Sequence, residues 1–227
     1  MTADIDALMT EIEQLIVEQM STDDADEQRR LADAAIEKAE QLVARRRDSA
    51  EAHYMLAVCW YHHPDRSRRR SEQVRQHLDI ALGLDHDHQF ANQYLAFINL
   101  DQSRYEAALA RLEKTDFDYF DAIGQPWRAL KARELLVVCR LRTGRSSFDI
   151  EELHNFIEEY LDQFEEDPSA TTWPVELRSC AEWLFERGDD VDNPILETIL
   201  SFLAEIDFLD SLENQALLDA WKKHKAV

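Results

Sequence analysis

Apolar residues recur at intervals of three and four from the start of the chain: Ile5, Leu8, Met9, Ile12, Leu15, Ile16 and Met20. That period predicts an amphipathic first helix. A polar break, STDDADEQ, precedes a second helix expected over residues 26–46. Ser49 is placed to N-cap a third, AEAHYMLAVCWYHH, which Pro64 stops. Ser71 is read as opening a fourth helix that ends near Gly83, followed by helices near 90–101 and 104–115 around a turn at Asp101–Ser103. FDYFDAIGQP reads as a connector, marked by Gly124 and Pro126. Further helices are expected over about 127–142, 149–165, 173–187, 195–206 and 210–223, punctuated by Pro168, Pro174, Gly188 and Pro194. No stretch alternates with the period of a strand, so the predicted class is all-α, built from helix hairpins.

Composition agrees: 4 glycines and 5 prolines are too few for a many-turned β protein. The apolar runs, such as LLVVC at 135–139, are far shorter than a membrane span. The start, MTADIDALMTEIEQ, has neither the basic nor the apolar region of a secretory signal. Cys59, Cys139 and Cys180 stand far apart and read as small buried hydrophobes in a reducing compartment. Together these features point to a cytoplasmic protein without membrane association.

Charge changes the picture along the chain. The formal net charge is −22, yet residues 51–150 balance at 14 acids and 14 bases while residues 151–227 carry 20 acids and 5 bases. The acidic third offers Glu158, Glu159, Asp162, Glu165 and Glu166 as a face for a basic partner. The basic exception is HHPDRSRRRSEQ, with Arg66, Arg68, Arg69 and Arg70. These arginines are expected in an exposed loop between paired helices, not on a helical stripe that could follow a phosphate backbone. No aromatic interleaving or nucleic-acid motif accompanies them, which argues against nucleic acid as the partner.

The helices also repeat. Leu56-Ala57, Leu95-Ala96 and Leu136-Val137 occupy comparable places, 39 and 41 residues apart. QYLAFINLDQSRYEAALARLEK, with Leu95, Ala96, Ser103, Tyr105, Ala108 and Leu112, resembles a tetratricopeptide repeat. A second unit, with Leu56, Ala57, Trp60 and Ala81, is similar to that family, as is a third with Gly144, Tyr160 and Pro168. The resemblance implies a right-handed solenoid of antiparallel helix hairpins: an N-terminal cap over residues 1–49, repeats over 50–170 and a C-terminal cap over 171–227. It also implies a concave groove formed by the first helix of each pair. That groove would show Tyr54, Val58, Tyr61 and His62, then Gln93, Tyr94 and Phe97, then Lys131, Glu134 and Arg142. The family's clamp for a carboxyl terminus does not fit, since Tyr54, Val58, Tyr94 and Leu135 stand at four of its five positions and only Lys131 matches.

Catalytic and phosphate-binding motifs are absent, and HH or HxH on a turn is a weak metal signal, so no enzyme activity, cofactor or metal is expected. The expected function is a scaffold or adaptor that binds a partner peptide or helix in the groove. The alternative is an acidic inhibitor that neutralises a basic toxin or nucleic-acid-binding protein. The very apolar segment ILETILSFLAEIDFLDSL leaves two readings open, a cap on the array or the interface of a homodimer.

Overall fold

The structure, a computed structural model, describes residues 2–65, 67–144, 148–168, 171–187, 194–210 and 214–226. Among these residues there are twelve α-helices and no strand. They are α1 (Thr2–Ser21), α2 (Ala25–Arg45), α3 (Ala50–His62), α4 (Arg68–Leu84), α5 (Gln89–Asp101), α6 (Tyr105–Leu112), α7 (Phe117–Ala122), α8 (Pro126–Arg142), α9 (Ile150–Glu166), α10 (Val175–Glu186), α11 (Pro194–Glu205) and α12 (Gln215–Lys225). A short 3-10 turn, Phe208–Asp210, lies between the last two.

The chain divides into two units, residues 1–98 and 99–227. The boundaries expected at 49/50 and 170/171 fall inside them. In the first unit, Leu8 and Ile12 of α1, Leu42 of α2, Leu56 of α3 and Leu78 of α4 share one core. In the second, Leu130 of α8, Phe156 of α9, Cys180 of α10, Phe202 of α11 and Leu217 of α12 share another. The apolar C-terminal helices are therefore covered by helices of their own unit. Met20, expected on the buried stripe of α1, is 66% exposed, and Gln19 beside it is the buried residue of that last turn, donating to His62 O.

Local chemistry sets most helix ends. Asp24 accepts from the N–H groups of Asp26 and Glu27 to start α2, and Ser49 accepts from Ala52 N–H to start α3. Gly124, at φ 71, makes the left-handed turn from α7 into α8, where Pro126 occupies the first turn. Two expectations need correcting here. FDYFDA is a helix, α7, begun by Asp116 accepting from Tyr119 N–H at 3.3 Å. The fourth helix begins at Arg68, capped by Ser67 rather than opened by Ser71.

The arginine cluster is thus the first turn of a helix, except Arg66, which lies outside the described residues. Three cations at a helix N-terminus oppose its dipole, so something must offset them. Arg70 does so by reaching back to the open C-terminal end of α3: its Nε donates to Trp60 O at 2.9 Å and its Nη2 to Tyr61 O. Its guanidinium also lies 5.5 Å from the Tyr61 ring centroid. Arg69 lies 5.9 Å from the Trp60 ring centroid, and Arg68 pairs with Glu72 at 2.8 Å in full solvent. Arg70→Ala is expected to cost about 1–2 kcal/mol in urea unfolding, as a charged donor leaves two carbonyls. Arg68→Ala, which removes only an exposed pair, is expected to leave the midpoint nearly unchanged.

Candidate functional site

Seven of the ten expected groove residues belong to the first unit, on α3 and α5. Their aromatic rings form one continuous stack. Tyr54 meets Tyr94 edge-on at 5.8 Å, Tyr94 meets Tyr61 at 5.1 Å, and Tyr94 meets Phe97 at 5.9 Å. Phe90 extends the stack beyond Tyr54, at 5.5 Å. The depth of these residues differs from expectation. Tyr54, Val58, Gln93 and Tyr94 are buried, while Tyr61, His62 and Phe97 keep part of their surface. The cause is the 3.6-residue period: positions spaced three and four apart share a face, and the Tyr54–Tyr94 part of that face is roofed by its own neighbours.

Lys131 and Glu134, expected in the groove from the second unit, form an interior lock instead. Glu134 is 2% exposed. Its Oε1 accepts from the backbone N–H groups of Glu176 and Leu177, at 3.0 and 2.9 Å. It thereby caps α10, whose own cap position is Pro174 and offers no side-chain acceptor. Lys131 donates to Glu134 at 2.7 Å and also pairs with Glu176. Burial pushes the Glu134 carboxyl up to about 7, against the opposing pull of Lys131. For Lys131 burial acts downward, but the carboxylates of Glu134 and Glu176 outweigh it and hold the ammonium above its ordinary value. Arg142, the tenth residue, lies between the rings of Tyr105 and Trp183, 5.2 and 4.5 Å from their centroids.

His53, His63, His77 and His88 work as packing groups. His63 reaches Asp33 at 3.2 Å and accepts from Asp65 N–H, and His88 reaches Glu51 at 3.1 Å and accepts from Ala91 N–H. His53 and His77 stack, with their Nδ1 atoms 3.0 Å apart. Burial, then the charge of His53, pushes His77 below its ordinary value. Among the described residues no three metal-ligating side chains converge. Burial pushes the Cys59, Cys139 and Cys180 thiols up to about 12, which leaves them protonated and poorly nucleophilic. No described helix is long and apolar enough to cross a membrane.

The acidic residues divide along α9. Glu159 pairs with Arg133, which also stacks over Phe117 at 5.1 Å, whereas Glu158, Asp162, Glu165 and Glu166 are exposed. Sequence periodicity did not single out the groove on one flank of α9. There Ile157 and Leu161 face Phe202 of α11, with Glu158, Glu197 and Glu205 along the rim. Spacing could have located it, since residues 154, 157, 158 and 161 share one helical face.

No protein-family model matches the chain, and no curated protein matches it significantly.

The Glu134 lock yields a pH-dependent expectation. Glu134→Ala leaves two N–H groups and Lys131 underpaired in the interior, and is expected to cost about 3–5 kcal/mol in urea unfolding. Glu134→Gln keeps an acceptor and should cost less. A carboxyl raised on folding contributes stability that is present below its ordinary value of 4.5 and is lost as pH rises towards about 7. The margin of the native protein over Glu134→Gln should therefore shrink across that interval.

Proposed function

We propose that this protein is a non-catalytic, tetratricopeptide-like scaffold that holds a partner protein on its helices. The observation that carries this reading is the aromatic stack of α3 and α5. Tyr61, His62 and Phe97 keep surface for a partner while resting on the buried Tyr54 and Tyr94. Rigid aromatic anchors of this kind dominate binding energetics, because little side-chain freedom is lost when they are covered. The burial of Ala57, Ala96 and Ala108 supports the repeat reading, since small residues at those positions let helices approach closely. On this reading Tyr54, Val58, Gln93 and Tyr94 form the platform, and Tyr61, His62 and Phe97 make the contacts.

The second reading, an acidic protein that neutralises a basic partner, is favoured by the exposed carboxylates of α9 in a segment with 20 acids and 5 bases. The two readings respond differently to salt. A partner captured from lysate by the native protein at moderate salt should be lost by Tyr61→Ala/Phe97→Ala, with circular dichroism unchanged. Retention of that partner by the double variant sinks the aromatic-contact reading. Release by salt alone, with the double variant still active, favours the acidic one.

A further inference from the structure

The α9–α11 pair combines an apolar trough with an acidic rim. Below the trough the two helices are joined by aromatic contacts: Phe202 meets Tyr160 edge-on at 5.0 Å and Phe156 at 6.3 Å. Above these contacts the helices leave a groove of about 500 Å³. Its floor is Ile157 and Leu161 over the buried Phe202, with Thr198 and Ser201 beside them on α11, and its rim carries Glu158 on one side with Glu197 and Glu205 on the other. Neither Glu158 nor Glu205 forms an ion pair among the described residues. The residues that line the groove include no lysine or arginine.

We infer that this groove is the docking site for a basic amphipathic helix of another protein, its apolar stripe on Ile157, Leu161 and Phe202 and its lysines or arginines against Glu158, Glu197 and Glu205. The inference deepens the second reading above and rests on it. Three physical points select this occupant. First, two helices side by side expose ridges of side chains and no unpaired backbone, so an extended strand would find no partners for its own N–H and C=O groups, whereas a helix satisfies them internally. Second, the facing stripes run from residue 154 to 161 and from 197 to 205, which at 1.5 Å per residue is about 10–12 Å, room for two turns of guest helix. Third, Glu158 and Glu205 beside the trough select cations next to the guest's apolar stripe, because an acidic or neutral guest would leave those two carboxylates desolvated and uncompensated. His154 is exposed at one end of the groove.

A second copy of this chain is disfavoured on the same grounds. Its net charge of −22 repels its own kind, and its basic helix α12 keeps Leu217 and Ala220 buried in its own core.

The test uses the full chain and a synthetic probe: a fluorescein-labelled four-turn helix with leucines along one face and lysines flanking them, beside a scrambled peptide of identical composition. Anisotropy is read for the native protein, for Glu158→Lys/Glu205→Lys, and for Glu37→Lys/Glu40→Lys, an equal charge change on exposed positions of α2. Circular dichroism establishes that all three fold. The expected result is binding of the helical probe on the order of micromolar, about tenfold weaker for the rim variant and little changed for the α2 variant, with the scrambled peptide weaker throughout. Equal binding of the scrambled peptide, or equal losses in both variants, overturns the groove while general attraction of basic partners stands. No binding of either peptide overturns the acidic reading itself. A dimer by sedimentation that Glu158→Lys/Glu205→Lys dissociates assigns the groove to a second copy and also overturns the proposal.

Discussion

Each helix leaves four N–H groups at one end and four carbonyls at the other without a partner inside the helix, and a folded chain must find them one. The described residues form twelve helices, and the chain holds only four glycines, the residue that most readily closes a helix C-terminus. Local caps such as Asp24, Ser49 and Ser67 meet part of the demand, and at the end of α3 and the start of α10 side chains borrowed from neighbouring helices meet it. Gln19 of α1 donates to His62 O at 2.7 Å, and Arg70 of α4 donates to the carbonyls of Trp60 and Tyr61. Glu134 of α8 accepts from the first N–H groups of α10, and Tyr160 of α9 donates to Thr172 O at 3.1 Å just before that helix. A borrowed cap does two jobs: it satisfies the backbone and fixes the register of the helices that share it.

The same economy decides what remains for function. Arginine, tyrosine, lysine and glutamate suit helix ends for the reasons they suit partner binding, since they are long and carry strong donors or acceptors. Once Arg70, Lys131, Glu134 and Tyr160 are engaged inside, the surface available to a partner is narrower than composition suggests. The two surfaces proposed above for a partner are the edge of the aromatic stack, at Tyr61, His62 and Phe97, and the carboxylates and apolar trough of α9 and α11. The two surfaces differ in chemistry, one aromatic and rigid, the other acidic with an apolar floor.

The amino-acid sequence by itself determined the all-helical class and most helix limits, because these follow from local rules. The 3.6-residue period, the cap at Ser49 and the stop at Pro64 act over a few residues and need no knowledge of the fold. Where two candidate caps lie close together local signals are ambiguous by a few positions, and Ser67 rather than Ser71 caps α4. FDYFDA read as a connector because six residues are too few to display a helical period. Only the tertiary structure decided which side of each helix meets water. Tyr54 and Tyr94 share the face of Tyr61 and Phe97, yet their neighbours cover them. Glu134 looks like any solvated glutamate until α10, more than forty residues later, brings two N–H groups to it. The groove beside Ile157 exists only because α11 lies opposite. Burial and long-range capping depend on residues distant in the chain, and a period read along one helix carries no record of them.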